Sequence, residues 1–155
     1  MMTNNPLKTA LWEADRHLDT LESALQDWYA TPAATLEELE SNPQMLRLLD
    51  QLLFRFTTLQ DALGIRLVPA TLATLSEPFE EWPMIDRLNR LEKLGFVNVD
   101  AWLSWREIRN RLAHEYPDKP ETRFAAIVAA VAVARDLAQA YRSWRIILNR
   151  SVPNG

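Results

Sequence analysis

The sequence predicts an all-α fold, an up-and-down bundle of four long helices with one or two short ones. Apolar residues recur at three- and four-residue spacing along most of the chain, and no segment alternates as a half-buried strand does. Nine prolines and three glycines cut that pattern into pieces of helix length. Hydrophobic residues make up 48% of 155, enough for a core and suited to a single domain over residues 1–155.

Asn5 reads as a cap and Pro6 as the first residue of the first helix. Leu7, Leu11, Ala14, Leu18, Leu21 and Leu25 then share a face, and the helix should reach about Tyr29. Residues Thr31 to Asn42 read as a looser connection. Asn42-Pro43 opens the second long helix, with Met45, Leu48, Leu49, Leu52, Leu53 and Phe56 on one side. Gly64 should end it as a left-handed terminator. A short helix restarts at Val68-Pro69 and runs to about Leu75, before Pro78 and Pro83 break the chain. Met84 to Leu94 is the next helix, closed by Gly95. Asn98 caps a helix from Val99 to Tyr116, which Pro117 stops. Asp118 and Glu121 match a capping box for the last helix, Pro120 to about Asn149. Its stretch Phe124–Ala134 is apolar on nearly every side and should lie centrally.

Composition narrows the chemistry. There is no cysteine, so disulfides and thiolate metal sites are excluded. His17 and His114 are the two histidines, too few for a His-rich metal cage. A net charge of −4 argues against a protein that coats nucleic acid with a broad basic surface, though not against local phosphate contacts. Arg135, Arg142, Arg145 and Arg150 face one acid, Asp136, near the end of the last helix. They are either a phosphate contact or ordinary cations at a helix C-terminus. The N-terminal residues do not read as a signal peptide, and Phe124–Ala134 is too short to span a bilayer. A soluble cytoplasmic protein with no membrane association is expected.

The informative segment is Trp105 to Tyr116, WREIRNRLAHEY. On a helix turning about 100° per residue, Ala101, Trp105, Ile108 and Leu112 form one stripe, which should face the core. Asn110 and His114 fall on nearly the opposite side with Leu103, flanked by Arg106 and Ala113. Arg109 and Tyr116 share an intermediate flank with Trp102 nearby. Two demanding faces on one helix point to a second packing surface, most simply a subunit interface that exposes a cleft.

RNA carries its own nucleophile, the 2′-hydroxyl. Its cleavage needs a base, an acid and a cation on the crowded phosphate. An imidazole titrates near neutrality and can move the protons. A guanidinium stays charged and grips phosphate in a forked geometry. A two-fold dimer would place two copies of His114 and Arg109 around one cleft, with no metal or other cofactor required. The same residues admit a plainer reading, in which Arg109 pairs with Glu107, Asp100 or Glu115 and His114 caps its helix. Asp61 either leans on Arg109 and orients it or pairs locally with Arg55 or Arg66. Trp102 either lines the cleft or anchors a core. His17 reads as a surface histidine.

The octapeptide Arg109 to Tyr116, RNRLAHEY, resembles the R-x-x-x-x-H-x-Y signature of HEPN-domain toxins of the HepT kind. Phe54 to Gly64 resembles the second long helix of such proteins. The resemblance implies a HEPN-like bundle that acts as a homodimeric endoribonuclease, an RNA-cleaving hydrolase, with Arg109 and His114 catalytic at the dimer cleft. Asn110 is implied in support, with Asp61, Arg106 and Trp102 as further candidates. It also implies a toxin–antitoxin partner, a MntA-like minimal nucleotidyltransferase that transfers AMP to the signature tyrosine, here Tyr116. A charged nucleotide there would obstruct RNA. The competing reading is a noncatalytic module that binds the nucleotidyltransferase or presents its substrate.

Overall fold

The computed structural model describes residues 5–114 and 116–151. Among them there is no strand, and the helices are α1 (Pro6–Ala30), α2 (Leu36–Glu40), α3 (Pro43–Ala62), α4 (Val68–Thr74), α5 (Met84–Lys93), α6 (Val99–Leu112) and α7 (Pro120–Ser151). The expected all-α bundle is therefore present. Helix α1 packs along α3 and α7, and α6 packs along α7.

Most helix starts follow from local chemistry. The Asn5 side chain accepts from the amides of Leu7 (3.0 Å) and Lys8 (3.2 Å), and Asn42 does the same for Gln44 (3.1 Å) and Met45 (3.2 Å). Each satisfies amides that the first helical turn leaves free, with proline at the first position. Asn98 accepts from Ala101 at 2.8 Å, and the Glu92 carboxylate takes the Val99 amide at 2.7 Å. Gly95 has φ +89°, the left-handed geometry that ends α5.

Three expectations at the element ends need correction. The stretch Thr31 to Asn42 contains α2. Its Thr35 hydroxyl accepts the Glu38 amide at 3.1 Å, and Glu38 reaches back to the Ala34 amide at 3.2 Å. Helix α7 begins at Pro120, and the Lys119 carbonyl accepts its first bond from Arg123 at 3.0 Å. Lys119, not Asp118, thus stands at the cap position.

The third correction concerns Gly64. It does not terminate α3, and its φ is not positive. Instead Leu63–Leu67 forms a π turn, in which the Val68 amide bonds the Leu63 carbonyl, and the chain continues directly into α4. Pro69 follows at once. Its ring would press on the carbonyl four residues back in a regular α-helix, and the wider turn lies where that conflict arises. Gly64 is small for another reason. A Cβ built there would come within 3.3 Å of Trp102 Cζ2, so the indole of α6 lies against bare backbone.

That contact rotates α6 relative to the expected stripe. Trp102 and Trp105 are buried, with ring centroids 6.0 Å apart, while Ala101, Ile108 and Leu112 are only half-buried. Trp102 is therefore a core anchor that lines no cleft. Gln60, one turn before Gly64, is also buried, and both polar atoms of its amide lack a protein partner.

Helix α7 supplies Ile127, Ala130, Val131, Ala134, Leu137, Ala138, Tyr141, Trp144 and Leu148 to the core. At 32 residues, with a mean hydropathy of 1.4 over its most apolar window, it is long and apolar enough to cross a membrane by length and composition. The Phe124–Ala134 stretch alone did not suggest this. Here α7 packs against the other long helices along that buried stripe.

Three substitutions test this packing. Gly64→Leu should overpack against Trp102 and cost about 1–3 kcal/mol in urea unfolding. Combined with Trp102→Ala, its cost should fall below the sum of the singles; additive costs would separate the two sites. Gln60→Met keeps the shape and removes two unpaired polar atoms, so it should stabilise the fold by about 1 kcal/mol. An unchanged or lowered urea midpoint would show that the amide is satisfied in solution.

Candidate active site

Helix α6 stops at Leu112, four residues before its expected end. Its last turn tightens, with the Ala113 amide bonding the Asn110 carbonyl at 3.2 Å and the His114 amide bonding that of Arg111 at 3.1 Å. Tyr116 then takes φ +48°, and its carbonyl accepts the Lys119 amide at 3.1 Å. A bulky residue in that region costs about 1–3 kcal/mol and persists only where its surroundings enforce it.

The early stop changes the expected side-chain placement. His114 and Tyr116 do not continue the helical faces of Asn110 and Arg109. They lie in the connection to α7, with ring centroids 6.1 Å apart and planes at 61°. Both line an open groove of about 460 Å³. Leu39 of α2, Leu49 and Phe54 of α3 and Ile127 of α7 form apolar parts of it. Its charged groups are Glu40, Asp50 and Arg123, and Arg123 approaches Glu40 at 3.5 Å to link α7 with α2.

Arg109 lies half-buried on the last full turn of α6 and makes a two-pronged pair with Asp61 of α3. One nitrogen reaches Asp61 Oδ1, and the other lies 3.2 Å from Oδ2. Of the alternatives for these residues, the structure shows Asp61 leaning on Arg109. Glu107 instead takes Arg111 at 2.8 Å, and Glu115 lies outside the described residues. On α3, Asp61 continues the stripe of Asp50, Phe54 and Thr57, three groove residues at helical spacing. The ion pair thus stands at the end of the same stripe that lines the groove. Asn110, Arg106 and Leu103 are exposed on the outer face of α6.

The structure therefore brings together His114 with Tyr116, and Arg109 with Asp61. It leaves Asn110 and Arg106 on the open face and takes Trp102 into the core. Sequence reasoning missed the groove residues Phe54, Asp50 and Arg123. The available signal was Phe54, a large apolar residue beside the buried stripe of α3.

Two other expectations change. The basic end of α7 is largely neutralised by α1. Arg142 forms a two-pronged pair with Glu22 at 2.5 Å, and Arg145 meets Asp15 at 2.9 Å. Arg135 lies over the Tyr29 ring at 5.2 Å. Asp15 also accepts the hydroxyl of buried Tyr141 at 2.6 Å; burial, reinforced by Asp15, holds that phenol well above its ordinary range. Arg142 and Arg145 thus hold α7 to α1 through ion pairs and are not a free phosphate contact.

His17 is likewise no simple surface histidine. Its Nδ1 accepts from Arg55 at 2.9 Å, with the Thr58 hydroxyl at 3.5 Å, while Nε2 lies 3.9 Å from Glu13. Glu13 is engaged by Arg66 at 2.9 Å. Burial, then the Arg55 charge, lowers the His17 pKa below 6.5. Among the described residues no three His, Asp or Glu side chains gather in a metal-holding cluster.

No protein-family model, curated protein or solved structure matches this chain.

The His17 arrangement sets a pH dependence. The folded chain takes up the His17 proton less readily than the unfolded chain. Its contribution is therefore complete above pH 6.5 and declines as pH falls through that value toward the lower folded pKa. Urea midpoints should drop between pH 7 and 5, and His17→Gln should flatten that drop. An identical pH slope in the variant would show that His17 does not set it.

Proposed function

We propose that this chain is a metal-independent endoribonuclease of the HEPN type, with His114 and Arg109 as its catalytic residues. The observation that carries the reading is the placement of His114 and Tyr116. An exposed imidazole and a phenol face each other on a tightened, partly strained connection above an open groove. Strained backbone held by its surroundings clusters at functional sites, and an imidazole at a groove mouth is placed for proton transfer.

In this reading His114 takes the 2′-hydroxyl proton of RNA as that oxygen attacks the adjacent phosphorus. The bond from phosphorus to the 5′-oxygen breaks, and that oxygen receives a proton from the His114 of a second copy. The products are a 2′,3′-cyclic phosphate and a 5′-hydroxyl. Arg109 offsets the charge that builds on the phosphoryl oxygens. Asp61 holds the Arg109 fork in place before substrate arrives, and Asn110, exposed beside it on α6, supports the phosphate. Arg106 shares that open face and adds positive charge. The homodimer supplies acid and base from one sequence position.

By the same resemblance the protein is the toxin of a toxin–antitoxin pair in the cytoplasm. Its antitoxin is a MntA-like nucleotidyltransferase, and Tyr116 is the AMP acceptor. The Tyr116 ring beside His114 supports that role, because a nucleotide added there would stand over the imidazole.

One observation favours the second reading, a noncatalytic module that binds the nucleotidyltransferase. Asp61 occupies the Arg109 guanidinium, and Glu40 and Asp50 make the groove unfavourable to a polyanion. The two readings differ at His114. Purified protein should cleave single-stranded RNA without added metal, and His114→Ala should lower the rate by about 10²-fold or more. Arg109→Lys should retain charge but lose the fork and most of the activity. Growth arrest on expression should be relieved by His114→Ala. Cleavage and arrest that persist in His114→Ala would overturn the proposal. A wild-type chain that binds the nucleotidyltransferase but cuts nothing would favour the module.

A further inference from the structure

Phe54 is 60% exposed although it sits in the middle of α3, and it lines the same groove as His114 and Tyr116. One turn before it is Asp50, one turn after it Thr57, and one turn further Asp61 with its Arg109 partner. This stripe spans about 16 Å at a rise of about 1.5 Å per residue. A carboxylate, an aromatic face, a hydroxyl and a guanidinium therefore follow one another along a single line.

We infer that this stripe is a base-binding subsite for single-stranded RNA, with an unpaired base stacked on Phe54 and its polar edge on Asp50. The inference rests on the nuclease reading above and names the form of RNA that the site accepts. Charge decides which part of the polynucleotide lies where. Asp50 and Glu40 repel phosphates, but a carboxylate accepts the amino N–H donors of base edges. The backbone is drawn to the other end of the stripe, where the Arg109 guanidinium lies. The groove volume, about 460 Å³, falls among those of small-ligand sites, and its apolar wall suits a flat heterocycle.

A duplex keeps its base faces stacked inside and cannot offer one to Phe54, whereas an unpaired strand can. The carboxylate also sets a preference. Cytosine presents an exocyclic amino group and uracil presents a carbonyl at the same position, so cytosine pairs better with Asp50.

The test uses full-length protein carrying His114→Ala, so that RNA is bound without being cut. The probes are fluorescein-labelled rC6, rU6 and a blunt RNA duplex, followed by anisotropy. Single strands should bind more tightly than duplex, and rC6 more tightly than rU6. Phe54→Ala should weaken rC6 about ten-fold or more, as expected for one lost stacking partner, and Phe54→Trp should restore it. Asp50→Asn should narrow the difference between rC6 and rU6. With His114 intact, Phe54→Ala should raise KM for single-stranded RNA and leave kcat nearly unchanged. Circular dichroism confirms folding of each variant.

Equal binding of duplex and single strand, or unchanged binding and KM in Phe54→Ala, overturns the subsite. If His114→Ala still abolishes cleavage in that case, the nuclease reading stands without it. A chain that neither binds nor cuts RNA removes both. Phe54→Ala that splits a dimer while RNA binding is unchanged assigns the groove to a protein and also overturns the subsite.

Discussion

Helix α6 cannot run through Pro117. Proline has no amide to donate, and in a continued helix its ring would collide with the Ala113 carbonyl. The helix ends earlier still, at Leu112, and the chain crosses to α7 through a tightened turn and a left-handed Tyr116. The placement of His114 and Tyr116 follows from that stop. Had α6 continued, His114 would have faced outward above Asn110, and Tyr116 would have followed Arg109. With the helix ended, the imidazole and phenol leave the helical wheel and meet over a groove that α2, α3 and α7 also build.

The other side of the site depends on how α6 lies beside Gly64 and the end of α3. The Trp102 ring rests on Gly64, where any side chain would be crowded, and this sets how α6 is rotated. The rotation brings Arg109 to Asp61, within reach of both carboxylate oxygens. The π turn at Leu63–Leu67 belongs to the same region, since it carries Gly64 and passes the chain on to Pro69. The indole contact with Gly64 and the Arg109–Asp61 ion pair thus both depend on where α6 lies beside the chain from Asp61 to Gly64. Such a partly exposed pair contributes little to stability, so its meaning lies in where it holds the guanidinium.

Signals that act within a few residues were legible in the sequence. Asn5, Asn42 and Asn98 cap helices because an Asn side chain reaches amides only two or three positions ahead. Gly95 ends α5 through its own backbone freedom. Gly64 misled for the opposite reason. Its smallness answers a tryptophan nearly forty positions away, and no local pattern carries that information. The core stripe of α6 was displaced by the same contact. His17 read as a surface residue because Arg55 and Thr58 belong to another helix. Asp61 was named beside Arg109 among several partners, and only the three-dimensional placement of the end of α3 beside α6 selects it. The Thr35 and Glu38 capping box of α2 could have been read, since both residues lie within one turn.

The groove itself was the least legible feature, because no single element makes it. Its wall comes from α2, α3 and α7, and its chemistry from the α6–α7 connection. That division bears on how the site is organised. The aromatic and acidic stripe of α3 is fixed on a long helix anchored by Leu49, Leu52, Phe56 and Leu59. The imidazole and phenol sit on a short connection whose geometry is enforced by Pro117 and by the start of α7. A rigid helix presenting Phe54 and Asp50 can select a ligand by shape and hydrogen bonding. A strained connection can hold an imidazole and a phenol at one point beside it, and because Tyr116 lines the same groove as Phe54 and Asp50, a change at its ring alters that groove as well.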